Sequence, residues 1–219
     1  MALRNTVQAL PQAQARCASA IALDLTAMSI TDLRHYIRVY DNNLEPELCR
    51  KMLESFSSLE RFQRPNGRGI HRGLEDSAWT ELNVTRLADA AFLAMFRGLI
   101  DGAFERYNRE LGLAIDVPNS MNLADLMLKR YRPGQNERFQ LHFDAVYQKA
   151  DRYLVFLWYL NEVEHGGETV FPQLDVTIRP APGRLLIFPP FWMYQHEGRP
   201  PLSGDKYIIS TYLVFDTPA

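Results

Sequence analysis

Tyr153-Leu-Val-Phe-Leu-Trp-Tyr-Leu160 and Tyr207-Ile-Ile-Ser-Thr-Tyr-Leu-Val-Phe215 are short runs of aromatic, leucine and β-branched residues. Runs of this length and composition suit strands better than helices. Segments 126–132, 138–143, 168–171, 176–179 and 184–188 share the texture and are punctuated by Pro and Gly. Seven such strands in succession predict a sandwich or a barrel. Residues 153–160 show no polar alternation, which predicts a central strand buried on both faces.

Upstream the texture is helical. Pro46 stands where a first helical turn tolerates it, and Leu48, Met52, Leu53 and Phe56 follow at helical spacing, predicting a helix over 45–59. Leu87, Ala91, Met95, Leu99, Ala103 and Tyr107 recur every four residues before Gly112, predicting a second helix over 84–111. Between them Arg64-Pro-Asn-Gly-Arg-Gly69 reads as a loop, followed by a polar stretch with Trp79, and this segment could overlie a pocket. No Gly/Ser linker separates helices from strands, so the expectation is an α+β fold with the N-terminal helices packed on one outer face of the sheet. Residues 29–219 are expected to form one domain, with helical support over 29–118 and a strand core over 119–219. Residues 1–28 read as an N-terminal arm or short docking helix.

At 219 residues with a formal charge of −2, the chain offers no global electrostatic attraction to nucleic acid or to an anionic membrane. No apolar run is long enough for a membrane helix. Arg4 and Arg16 precede the first acid, Asp24, a faint transit-peptide signature, while Pro11 and the four glutamine or asparagine residues before Cys17 argue against a secretory h-region. Cys17 and Cys49 show no CxxC spacing, which fits a reducing, cytoplasmic setting.

His142 and Asp144 are separated by one residue at the end of a predicted strand, so both side chains leave the same face. With His196 as a distant second imidazole they make up a 2-His-1-carboxylate donor set, which leaves positions open on iron. Lys206 lies ten positions after His196, beyond a turn at 199–204, and opens the last strand. His196 and Lys206 can therefore reach one cavity, where an inward ammonium needs an anionic partner. Ser210 and Tyr212 alternate with Lys206 and Ile208 along that strand and would line the same cavity.

Five pieces of sequence then fall in one order: Tyr131-Arg-Pro-Gly-Gln135, His142-Phe-Asp144, Trp158-Tyr-Leu-Asn-Glu-Val-Glu-His-Gly-Gly-Glu-Thr-Val-Phe-Pro172, Pro182-Gly-Arg-Leu-Leu-Ile-Phe188, and His196 with Lys206. In these the chain resembles the Fe(II)/2-oxoglutarate dioxygenases of the prolyl 4-hydroxylase-like group, over roughly residues 126–215. The resemblance implies a double-stranded β-helix, or jelly-roll, barrel. It implies Fe(II) held by His142, Asp144 and His196, and 2-oxoglutarate as co-substrate with its C5 carboxylate on Lys206. It also implies Tyr159 assisting that carboxylate, Tyr131 near the co-substrate's other end, O₂ as second co-substrate and ascorbate as an optional accessory. The implied reaction is hydroxylation of an unactivated C–H bond coupled to conversion of 2-oxoglutarate to succinate and CO₂. Asp144 favours hydroxylation over halogenation, since related halogenases carry a small residue there. The lead substrate is a prolyl residue of a peptide or protein, and the alternative is a free amino acid or small metabolite.

A rival from another class is a non-catalytic, cupin-like metal-binding module, against which a buried Lys206 discriminates. Among other conspicuous residues, His165-Gly166-Gly167 reads as a tight turn with His165 exposed. His71 reads as part of a solvated loop, and Trp79 and Trp192 could either wall the pocket or pack in the core.

Overall fold

The computed structural model of the protein describes residues 32–70, 73–120 and 122–215. The arm expected over 1–28, Cys17 and His71 lie outside them. By its contacts the chain divides into residues 1–31 and residues 32–219, and all described residues belong to the second unit. In chain order the elements are β1 (Arg38–Tyr40), α1 (Pro46–Ser58), β2 (Arg64–Gly67), β3 (Ala78–Asn83), α2 (Ala90–Leu111), β4 (Met127–Tyr131), β5 (Phe139–His142) and β6 (Arg152–Tyr159). They continue with β7 (Thr169–Phe171), β8 (Val176–Ile178), β9 (Leu185–Phe188), β10 (His196–Gly198) and β11 (Lys206–Val214).

The strands form a seven-stranded sheet, ordered β1-β9-β6-β11-β4-β3-β2, facing a four-stranded sheet, ordered β5-β10-β7-β8. The pairings are antiparallel, for example Tyr212 opposite Val155 and Lys206 opposite Tyr131. This is the jelly-roll arrangement. Period two divides the large sheet into two chemistries. On β6, Leu154, Phe156 and Trp158 join the outer core, whereas Val155, Leu157 and Tyr159 join the inner one. On β11, Ile209 and Leu213 face out while Ile208 and Tyr212 face in. As the unbroken apolar run predicts, β6 is buried on both faces.

The helices cover the outer face. From α1 come Cys49, Met52 and Phe56, and from α2 come Phe96, Ile100, Ala103, Phe104, Tyr107 and Leu111. Burying a Phe or Leu side chain contributes about 1.5–3 kcal/mol, while an exposed helical ion pair such as Arg106–Glu110 contributes only about 0.2–0.5 kcal/mol. Apolar burial therefore fixes the helices, and the ion pairs decorate them.

The second helix departs from expectation in two ways. It starts at Ala90 rather than near residue 84, because Asp89 caps it by accepting the Phe92 amide at 2.8 Å. Val84 is instead tied to Leu126 by a backbone bond of 2.8 Å. Its buried face is also not the row of every fourth residue, since Leu87 and Met95 are exposed. At about 100° per residue a strict i+4 row drifts by about 40° per step, so it leaves the buried face within a few turns. Its end at Gly112, with φ of 60°, is as expected.

Four strands were not legible as such. The 64–69 stretch is not wholly a loop, for β2 pairs with β3 and extends the large sheet. Pro65 is tolerated there because β2 is an edge strand. The other two, β1 and β10, are only three residues long. Among the described residues no helix is long and apolar enough to cross a membrane.

The layers meet at Gly183, whose carbonyl accepts the amides of Asn43 and Leu44 and whose own amide donates to Tyr159. It adopts φ of +75°, and a Cβ there would lie 2.1 Å from the Leu44 carbonyl oxygen. Gly183→Ala is thus expected to cost about 2 kcal/mol or more in unfolding free energy, measured by urea denaturation. A loss below about 0.5 kcal/mol would show that the contact is not tight.

Candidate metal centre and co-substrate pocket

The small sheet brings the two histidines together. His196 opens β10 directly opposite His142 at the end of β5, with ring centroids 4.3 Å apart. Asp144 follows two residues later, where its amide and that of Ala145 both donate to the Pro190 carbonyl at 3.0 Å. One donor atom from each of His142, Asp144 and His196 lies within 4.8 Å of the others.

Their surroundings prepare these atoms for a cation. His142 Nδ1 lies 2.7 Å from the Gln140 carbonyl and His196 Nδ1 lies 3.0 Å from the Tyr194 carbonyl. A carbonyl only accepts, so each Nδ1 carries the proton and each Nε2 presents a lone pair. The two Nε2 atoms flank the Asp144 carboxylate at 3.7 and 3.6 Å, beyond hydrogen-bond reach. Tyr212 Oη donates to Asp144 Oδ1 at 2.8 Å, while Oδ2 is buried and has no partner. Burial opposes ionisation of Asp144, whereas positive charge on the adjoining imidazoles, when they are protonated, holds the acid well below the usual carboxylate range. Burial, reinforced by His142, pushes His196 down to about 4, so its imidazole is neutral at physiological pH. An orphaned carboxylate oxygen between two preoriented Nε2 atoms is a donor set that fits Fe(II).

Phe139 stacks on the His142 ring at 3.7 Å, and Trp79 packs on Phe139 with centroids 4.7 Å apart. This settles Trp79 as a buried wall beside the centre, whereas Trp192 is largely exposed. Residues 73–77 bear on the same strand: Gln140 Nε2 donates to the Gly73 carbonyl and Gln140 Oε1 accepts the Asp76 amide, both at 2.8 Å.

Lys206 is 2 % exposed, with Nζ 5.5 Å from the ring centroids of both Tyr131 and Tyr159. No carboxylate among the described residues forms an ion pair with it. Burial pushes its ammonium down to about 7, only partly opposed by the more distant Glu168. Gly198 and Gly167 pack beside it, where a Cβ would lie at ordinary contact distance, 3.8 Å from Nζ and 3.5 Å from Cδ. Tyr159 Oη donates to Thr169 Oγ1 at 2.6 Å, and Ser210 Oγ is buried without a partner. The structure thus groups Lys206, Tyr131, Tyr159 and Ser210 on the inner face, where a dicarboxylate would find an ammonium and the unpartnered Ser210 hydroxyl. As expected, His165 is exposed in a turn where Gly166 and Gly167 adopt positive φ.

Comparison with known proteins agrees with this geometry. Residues 126–214 match the model of the 2OG-Fe(II) oxygenase superfamily. Over these residues the chain carries a 2OG-Fe(II) oxygenase domain. Fe(II) and 2-oxoglutarate are accordingly its cofactor and co-substrate, with O₂ as the second co-substrate. The oxygenase is 25% identical over 211 residues to a protein of Acanthamoeba polyphaga mimivirus provisionally named a prolyl 4-hydroxylase, covering 87% of this chain and 83% of the relative. It is 26% identical over 132 residues to prolyl 4-hydroxylase 2 of Arabidopsis thaliana, covering 44% of this chain and 43% of the plant protein, so it spans less than half that enzyme's length. Its fold is similar to that of a Trichoplax adhaerens prolyl hydroxylase solved with a hypoxia inducible factor peptide fragment, with a TM-score of 0.63, 19% identity and coverage of 82% and 84% of the two chains.

Sequence reasoning passed over Lys129, which enters the oxygenase's inner face from β4, and Arg152, whose guanidinium carbon lies 3.7 Å from the Tyr212 ring centroid. Only strand register shows that Lys129 points inward while its neighbour Leu128 points outward. Because Tyr212 orients Asp144, Tyr212→Phe is expected to weaken Fe(II) binding by about 10–100-fold in anaerobic equilibrium dialysis. Unchanged iron affinity would show that Asp144 needs no such support.

Proposed function

We propose that this oxygenase hydroxylates a prolyl residue of a peptide or protein, with His142, Asp144 and His196 as the iron ligands. Lys206 takes the C5 carboxylate of 2-oxoglutarate, Tyr159 and Tyr131 flank it, and Ser210 lines the same pocket. Iron with 2-oxoglutarate and O₂ supplies the oxidising chemistry, in which 2-oxoglutarate becomes succinate and CO₂ while one oxygen atom enters a C–H bond. The chain's own residues do the positioning: two backbone carbonyls fix the imidazole tautomers, Tyr212 holds the carboxylate, and Phe139, Phe171 and Phe188 keep water from the ligand rings.

The observation that carries the peptide reading is a pair of exposed aromatics on the loops flanking the ligands. Tyr147, three residues after Asp144, is 87% exposed with φ of 48°, and Trp192, four residues before His196, is 63% exposed. Their loops are joined by the Asp144 and Ala145 bonds to Pro190. Exposed large aromatics at a site entrance suit extended contact with a chain outside the pocket. The names of the relatives support the same substrate class. We assign residues 29–219 to one catalytic domain, in which α1 and α2 support a jelly-roll sheet that β1, β2 and β3 extend, with 1–28 as an arm. A cytoplasmic setting is supported by Cys49, buried and free.

Two measurements test this reading. Succinate formation and a gain of one oxygen are expected on proline-containing peptides, and coupled turnover confined to free amino acids would overturn the peptide assignment. The Lys206 ammonium must be charged to hold a carboxylate, and its pKa of about 7 in the free enzyme rises once the anion is bound. Affinity for 2-oxoglutarate is therefore full below about pH 7 and falls by up to about tenfold per pH unit above it. Lys206→Met is expected to raise the 2-oxoglutarate Kd by about tenfold or more and to flatten that profile. An unchanged profile would place the co-substrate elsewhere.

A further inference from the structure

Lys129 is a second lysine inside the barrel, 8% exposed, on β4 between Glu81 of β3 and Ile208 of β11. Its Nζ lies 5.6 Å from the Trp79 centroid and 5.8 Å from that of Phe139, the ring stacked on His142. Only the Phe139 ring is thus shown between the ammonium and a ligand histidine, and Asp144 is among the charges that act on it. The attraction of two ring faces is a weak substitute for a counter-ion. Glu81, the acid opposite in register, is already engaged: Oε2 accepts from Trp79 Nε1 at 2.7 Å and Oε1 from Asn66 Nδ2 at 2.8 Å. No carboxylate among the described residues forms an ion pair with Lys129.

The other charges facing it are Asp144, Lys149 and Arg152. Bound Fe(II) would take up the charge of Asp144, leaving Glu81 as the one acid among these groups set against Lys129, Lys149 and Arg152. 2-Oxoglutarate does not resolve the excess, because one of its carboxylates goes to Lys206 and the other to the metal. Two positions away on the same face of β4, Tyr131 already belongs to the Lys206 side.

We propose that Lys129 is a second carboxylate anchor, holding an acidic group of the primary substrate beside the iron while Lys206 holds the co-substrate. The inference rests on the oxygenase reading of the site and narrows its substrate to one with a carboxylate near the reacting carbon. That carboxylate could be the α-carboxylate of a terminal or free residue, or an acidic side chain next to the target in a peptide. Neither source alters the role of Lys129.

The test is calorimetric binding to the anaerobic Fe(II)/2-oxoglutarate complex, using acid and amide pairs. N-acetyl-L-proline against its amide reports the α-carboxylate. Blocked Glu-Pro-Gly against blocked Gln-Pro-Gly reports the side chain, and N-acetyl-L-alanine against its amide reports a carboxylate without proline. At least one acid is expected to bind about tenfold tighter than its neutral partner. That preference is expected to vanish in Lys129→Met and persist in Lys129→Arg, with the 2-oxoglutarate Kd changed by less than about twofold in either variant. No acid preference in any pair, or a preference that survives Lys129→Met, would overturn the anchor. So would a tenfold or greater loss of 2-oxoglutarate affinity in Lys129→Met, which would assign the ammonium to the co-substrate. Acid preference confined to the alanine pair, or acid-selective binding without succinate formation on any prolyl probe, would remove proline as the target and leave the anchor standing.

Discussion

His196 faces His142 across an antiparallel pair in the small sheet, and the chemistry of the molecule hangs on that register. The pairing puts two imidazoles on one face, and Asp144 reaches them because its amide is pinned to Pro190. Slipping β10 by one residue would turn His196 away and bring Glu197 inward. The rest of the barrel serves as a frame that makes such a slip costly, with Phe171 and Phe188 packed against the His196 ring.

The large sheet solves a different problem. Its outer face must be apolar to hold the helices, and its inner face must admit charge. Period-two alternation lets one strand do both, with Phe156 and Trp158 outward and Leu157 and Tyr159 inward. Aromatic faces line both buried lysines, Tyr131 and Tyr159 beside Lys206 and Trp79 and Phe139 beside Lys129. Both ammonium groups are destabilised by burial, and each is therefore a stored demand for an anion.

Much of this was legible in the sequence, for identifiable reasons. His142, Asp144 and Lys206 sit where alternation and strand ends dictate their direction, so their inward placement could be read without coordinates. Seven strands announced themselves through apolar runs. The others did not: β2 is an edge strand of polar composition, and β10 is a three-residue strand around a ligand. Lys129 and Arg130 are adjacent, and nothing local says which turns inward, since that is decided by pairing with β3 and β11. The buried face of α2 was misplaced because a row of every fourth residue looks like a stripe on paper and spirals off one on the helix.

The division of labour along β6 and β11 also constrains how such a protein can diverge. Inserting or deleting one residue within either strand would exchange its two faces, sending Phe156 and Trp158 toward the iron and Tyr159 toward the helices. Length changes are therefore confined to the connections. The segments carrying Tyr147 and Trp192 are secured near Pro190 by two backbone bonds, which any sequence can make. Descendants of this chain can rewrite the entrance while the interior is inherited unchanged.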